Sequence, residues 1–168
     1  MKALTDQFTR IIKNSSPEDI GILTDYLRNF EKKQQGAFST YLSASLDMSR
    51  VTDKESSVVS IPNTAFIHNT VAIPHGGILA VLLDTAMGTL ANNNCPEGFS
   101  AVTTTLTIHY LSVADEEQIS AHARIIRRGR QTMVLEGNIY QEDGKHIATS
   151  TGSFFVIPKK NPIIASQQ

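Results

Sequence analysis

At 168 residues the chain suits one domain with a sizeable core. Its net charge of −1 carries no overall signal for nucleic acid or for an anionic membrane. One cysteine, Cys95, excludes an intramolecular disulfide framework, and the opening Met1-Lys2-Ala3-Leu4-Thr5-Asp6 lacks the apolar core of a secretory signal. The longest apolar run is too short to span a bilayer and contains Asp84. The expectation is a cytoplasmic protein with no membrane and no nucleic-acid partner.

Residues 1–36 read as an N-terminal helical extension. Leu4, Phe8, Ile11 and Ile12 fall at helical spacing, and Asn14-Ser15-Ser16 ends that segment. Ser16-Pro17-Glu18-Asp19 starts a second helix: an N-cap serine, proline at the first helical position, acids in the first turn. Ile20, Leu23, Leu27 and Phe30 make one apolar stripe, suited to packing on the main domain or on a partner subunit. Arg28, Lys32 and Lys33 do not make the basic face that a DNA-binding helix-turn-helix needs.

Residues 37–158 read as the main domain. From Ala37 the period changes to two, which predicts a long strand over Phe38 to Met48 and a short one over Val58 to Ile61. A loop over 63–74 leads to Pro74-His75-Gly76-Gly77, which opens a helix running from Ile78 to Ala91 and ending near Asn92-Asn93-Asn94. Apolar residues lie nearly all round this helix, which predicts burial on most sides. Its one charged residue, Asp84, is costly there unless paired, hydrogen-bonded or used. Two glycines at the helix start bring backbone N–H groups within reach of a ligand oxygen, or simply permit a tight turn.

The second half is strand after strand. Val102, Thr104, Leu106, Ile108 and Tyr110 alternate with Thr103, Thr105, Thr107 and His109. Further strands are expected over 118–127, 131–141 and 145–157, with Asp143-Gly144 as a hairpin turn and 159–168 as a C-terminal tail. Short connections favour antiparallel pairing. The fold class is therefore α+β, a curved antiparallel sheet around one long central helix.

Asn69, His75-Gly76-Gly77 and Asp84, in this spacing and strand order, resemble the hotdog-fold acyl-CoA thioesterases, specifically the phenylacetate-degradation (PaaI-like) branch. The strand from Thr103 to Ser112 and the basic turn Ile126-Arg127-Arg128-Gly129-Arg130 resemble the corresponding family segments. The resemblance implies a homodimeric or homotetrameric enzyme that hydrolyses acyl-CoA to a free acid and coenzyme A. It implies Asp84 as general base or nucleophile, and the Gly76 N–H as oxyanion donor. Asn69 would position water or thioester, Thr103 would orient the water, and His75 would shape the turn or hydrogen-bond nearby. Gly77 would border the substrate, and Arg127, Arg128, Gly129 and Arg130 would meet the phosphates of coenzyme A. Coenzyme A enters as part of the substrate, and no separate cofactor is expected.

The residues support such chemistry on their own account. Thioester hydrolysis needs a base or nucleophile and an oxyanion donor, and no Gly-x-Ser-x-Gly elbow is present. Gly76 and Asp84 stand eight residues apart on one helix, roughly 12 Å along its axis. If both act on one thioester they come from different subunits, Asn69 and Gly76 from one and Asp84 and Thr103 from the other.

Plainer readings exist for each residue. Asp84 could be an interfacial carboxylate held by a local donor, Thr103 a β-branched strand residue, and the arginine cluster a solvated turn. Rival functions are a non-catalytic acyl-CoA binder or sensor, a dehydratase of the same fold, and a structural dimerisation module. A dehydratase would pair aspartate with histidine five residues on, where this chain has Thr89. His68, His75, His109, His122 and His146 show no metal-ligand spacing, so no metal is expected.

Overall fold

A computed structural model describes residues 1–159; of the tail expected over 159–168, residues 160–168 lie outside the described residues. The chain divides into two compact units, residues 1–48 and the residues from Ser49 on. Residues 37–48, placed with the sheet by their sequence period, belong to the N-terminal unit. No described helix is long and apolar enough to cross a membrane.

The N-terminal unit contains three helices, α1 (Lys2–Asn14), α2 (Pro17–Gln34) and α3 (Tyr41–Ser45). α2 starts as its sequence dictates. Ser16 Oγ accepts from the Asp19 N–H at 3.1 Å, and Asp19 Oδ2 accepts from the Ser16 N–H at 2.9 Å. α3 replaces the long strand expected over Phe38 to Met48. Thr40 and Ser43 form a reciprocal capping box, and Asp47 takes a positive φ of 46°. Serine and threonine hydroxyls here bond the local backbone in place of a strand ladder, which a period-two apolar pattern does not reveal.

The second unit is a six-stranded antiparallel sheet curled about one long helix. The strands are β1 (Ser49–Thr52), β2 (Ser56–Pro62), β3 (Phe99–Tyr110), β4 (Gln118–Arg128), β5 (Thr132–Gln141) and β6 (His146–Pro158). Their order across the sheet is β1-β2-β4-β5-β6-β3, which leaves the 12-residue β3 at an edge. The helix, α4 (Gly76–Asn93), comes between β2 and β3 in the chain. This is the hotdog arrangement that the sequence resembles.

α4 buries one stripe: Leu79, Leu82, Leu83, Ala86, Met87, Leu90 and Ala91. Its other face, including Ile78, Val81, Asp84, Thr85 and Gly88, stays half-exposed. All-round burial is therefore not reached within one chain, because the sheet covers only one side of the helix. Gly137 and Gly152 let the helix approach. A Cβ on Gly137 would lie 3.1 Å from Leu83 Cδ2 and 3.0 Å from Ser150 Oγ, and one on Gly152 would lie 3.3 Å from Met87 Cε.

The three asparagines that end α4 tie it to the sheet unit. Asn92 Nδ2 donates to the Ala101 carbonyl, and Asn92 Oδ1 accepts from the Ala101 N–H, at 3.2 and 3.0 Å. Asn93 and Asn94 donate to the carbonyls of Asp53 and Lys54 in the β1–β2 turn.

Replacing Gly137 with valine forces Leu83 and Ser150 apart, and about 1–3 kcal/mol of stability should be lost. The mid-helix Gly21, with nothing within 4 Å of a new Cβ, should instead gain about 0.5–1 kcal/mol on replacement by alanine. Urea unfolding of Gly137→Val and Gly21→Ala checks the opposite signs.

Candidate active site

Two grooves flank α4. The first, about 350 Å³, lies at the helix start and is lined by Asn69, Ile73, Pro74, Gly76, Leu79 and residues 110–114. The loop before the helix folds on Asn69. Its Oδ1 accepts from the N–H groups of Val71 and Ile73, and its own N–H donates to the Ile73 carbonyl. With Oδ1 so occupied, the Nδ2 amide is the part of Asn69 left to donate; among the described residues it has no partner.

His75 is the N-cap of α4. Its Nδ1 accepts from the Gly77 N–H at 2.9 Å, so the neutral ring carries its proton on Nε2. The Gly77 N–H is thereby consumed. The Gly76 N–H has no partner among the described residues, as the first turn of a helix allows. The Gly76 carbonyl accepts from Tyr110 Oη at 2.9 Å. Positive helix-dipole character adds to the pull of this open N–H on a developing negative charge.

The second groove, wider and about 500 Å³, is lined by Asp84, Thr85, Gly88, Thr89, Asn92, Ala101, Val102, Thr103 and Phe154. Thr103 Oγ1 donates to Asp84 Oδ1 at 2.7 Å. This bond supplies a donor for the one carboxylate on the apolar helix and leaves Oδ2 open. A bulge between Thr103 and Thr105 makes it possible. In a regular strand Thr103 and Tyr110, seven residues apart, would face opposite sides. The extra residue resets the alternation, and both meet the helix.

A second bulge, between Ile125 and Arg127, does the same for β4. Arg128 pairs with Met133, Met133 with Phe154, and Phe154 with Thr103. Paired residues share a face, so Arg128 sits on the face of Asp84 and Thr103, roughly 14 Å from Thr103 across three strand spacings. Arg127 pairs with Val134 and takes the opposite face. Arg130 and Gly129 lie in the exposed turn, where the Gly129 N–H donates to the Thr132 carbonyl at 2.8 Å.

One chain thus brings Asn69 together with Gly76, and Asp84 together with Thr103, in separate grooves. Tyr110 and Asn92 were not legible as site residues. Tyr110 reads as one more strand aromatic, and Asn92 as a helix terminator. Only its asparagine-rich context hints that Asn92 could bond a strand edge. His109 and His122, which could have neighbored across strands, share one row but are separated by β5 and β6. Among the described residues no three histidine, cysteine or acidic side chains are grouped to hold a metal ion.

The thioesterase superfamily pattern matches residues 73–148, from the loop before α4 into β6. The BH2602 protein of Bacillus halodurans, whose structure contains CoA, is 34% identical, covering 91% of this chain and 99% of that one, with a TM-score of 0.85. The chain belongs to the thioesterase superfamily. It is an enzyme of the thioester-hydrolase type. Another solved structure similar to this chain is the PaaI protein of E. coli, from the phenylacetic acid degradation operon. It is 24% identical over 81% of this chain and 98% of that one, at a TM-score of 0.67, and shares the fold. A putative esterase of Saccharolobus solfataricus is 27% identical over 108 residues, 64% of this chain and 76% of that protein.

Cys95 lines neither groove. Burial pushes its thiol up from the ordinary range, partly offset by the charges of Arg128 and Lys159, and its Sγ bonds the Ala91 carbonyl at 3.4 Å. A raised thiol is a poor nucleophile at neutral pH. Cys95 should alkylate more slowly in the native protein than in urea at pH 8, as mass spectrometry of iodoacetamide-treated samples would show.

Proposed function

We propose that the protein hydrolyses acyl-CoA thioesters to a free carboxylic acid and coenzyme A, as a PaaI-like thioesterase acting in the cytoplasm. The observation that carries this reading is the split of the site. A hydrogen-bonded carboxylate stands in one groove and an open backbone N–H in the other, too far apart along one helix to meet on one carbonyl.

The reading therefore includes a homo-oligomer, a dimer or tetramer, with each active site completed across the interface. Two further features support it. The outer face of α4 is half-exposed although largely apolar, and β3 offers a long unpaired edge. Two copies with their α4 helices facing each other would set Asn69 and Gly76 of one opposite Asp84 and Thr103 of the other.

In that composite site the acyl group would rest against Ile73, Leu79 and Val113. Its carbonyl oxygen would accept from the Gly76 N–H and from Asn69 Nδ2. Thr103, bonded to Asp84 Oδ1, keeps the carboxylate aimed. Asp84 Oδ2 then takes a proton from water as the water attacks the carbonyl carbon, or attacks the carbon itself. In either route the tetrahedral oxyanion forms at the two donors and collapses with cleavage of the carbon–sulfur bond. After direct attack this leaves a mixed anhydride with Asp84, which water cleaves to the free acid, restoring the carboxylate and supplying the proton. The thiolate of coenzyme A leaves and recovers the proton. His75 serves this scheme by withdrawing the Gly77 N–H, so that of the two glycines only Gly76 presents a free N–H beside Asn69 Nδ2. Arg128 and Arg130 would pair with the phosphates of coenzyme A, a role supported by the presence of CoA in the 34%-identical Bacillus halodurans structure. No cofactor is needed beyond the coenzyme A of the substrate.

Thiol release from a panel of acyl-CoA substrates tests the activity, and Asp84→Ala should lower kcat by roughly 10²- to 10⁴-fold. Mixed refolding of Asp84→Ala with Asn69→Ala chains should restore one intact site per heterodimer and recover up to half of the wild-type rate per dimer, on the order of one working site in two. No recovery in a verified heterodimer would sink the composite site.

Exchanging Arg128 for alanine should raise KM for acyl-CoA several-fold with kcat nearly unchanged, whereas Arg127→Ala, on the other face, should change little. Equal KM in all three proteins would return the basic turn to solvent.

A further inference from the structure

Every other polar group in the first turn of α4 has a clear task, which isolates one contact that the proposed chemistry leaves unused. Tyr110, at the end of β3, sends its hydroxyl to the Gly76 carbonyl at 2.9 Å. Its ring also lies against the glycine. A Cβ on Gly76 would stand 3.3 Å from Tyr110 Cζ and 3.4 Å from its Oη.

Gly76 lies between two peptide planes. The plane before it carries the His75 carbonyl, which accepts from the N–H groups of Ile78 and Leu79 at 2.8 and 3.2 Å. The plane after it carries the Gly76 carbonyl and the Gly77 N–H. Two side chains hold that second plane in addition to the helix ladder, Tyr110 on the carbonyl and His75 on the N–H. A glycine at a helix start has the widest backbone freedom of any residue and no i−4 bond to its own N–H. Its N–H shares the plane of the His75 carbonyl, and the turn that holds this plane also contains the Gly76 carbonyl.

We infer that Tyr110 is a positioning residue, which locks the first turn of α4 so that the Gly76 N–H stays aimed into the groove. The inference rests on the proposed role of that N–H as oxyanion donor. It adds a group from the edge strand to the half-site of Asn69 and Gly76, which is otherwise built from α4 and the loop before it. The ring supplies the lateral contact that a side chain on Gly76 would otherwise make. The hydroxyl fixes the rotation of the following peptide. Its bond goes to the Gly76 carbonyl, which belongs to a different peptide from the Gly76 N–H, so its effect is on direction rather than on acidity.

Tyr110→Phe keeps the ring and removes the hydroxyl. With the acyl-CoA that the wild-type protein turns over fastest, kcat should fall roughly tenfold, as small misplacements at a reacting centre do, with KM within about twofold. Amide hydrogen exchange at Gly77 and Ala80, in the same turn, should accelerate several-fold, while Leu83 and Leu90 keep wild-type rates. A Tyr110→Phe protein with wild-type kcat overturns the inference. So does one in which only KM rises, which would make Tyr110 a wall for substrate. If the wild-type protein hydrolyses no acyl-CoA, the proposed activity fails separately. Faster exchange at Gly77 and Ala80 would then still support the lock, and unchanged exchange would overturn it.

Discussion

A helix can lie only as close to a sheet as the side chains between them permit. Here that separation is governed by small residues under α4: Gly137 and Gly152 with Ala121, Ala123, Ala148 and Ser150 around them, all buried. Leu83 and Met87 fill the room these residues leave. Close seating matters beyond packing energy, because short polar side chains must bridge helix and strand. Thr103 reaches Asp84 at 2.7 Å only because α4 is pressed onto the sheet.

The edge strand is then bound to that helix at its start, middle and end. Tyr110 holds Gly76, Thr103 holds Asp84, and Asn92 pairs with the backbone of Ala101. An edge strand normally gains order from one neighbour only. β3 has β6 on one side and these polar ties to α4 beneath. Both grooves lie along this seam, so in the proposed dimer the element facing a second subunit would also be the one whose geometry the proposed chemistry needs. Rigid elements hold such constellations better than loops do. Asn69 is the exception, and its loop is closed by the side chain's own turn.

Much of the sheet unit was legible because its signals are local and repeated. The boundaries of α4 follow from Pro74 to Gly77 at one end and three asparagines at the other, and Gly144 in the 143–144 turn has the positive φ of 86° that such a turn needs. The pairing of Asp84 with a donor was foreseeable from the cost of a lone carboxylate. Residues 38–48 misled, since their alternation of apolar and polar residues is equally served by a short capped helix. Partial exposure of α4 was hidden for another reason. A sequence records which faces are apolar, but not whether the cover comes from its own chain.

Thr103 shows a deeper limit. Simple alternation sets it with Thr105 and Thr107, away from Leu106 and Tyr110. The single uncounted residue in the ladder moves it across, and the bulge in β4 moves Arg128 likewise. Each bulge behaves as a phase shift: on one side odd-numbered residues look inward, on the other even-numbered ones. Site information in these strands is thus stored partly as arithmetic. Exchanging one side chain at Thr104 leaves the count intact, and losing that residue would leave Thr103 six places from Tyr110, so that a regular strand would keep both on the helix side. Thr103 would still stand opposite Phe154 and Val102 opposite Phe155. Among descendants of this sequence, a one-residue gap at the bulge would thus spare the carboxylate's partner and cost the strand only its local bend and extra twist.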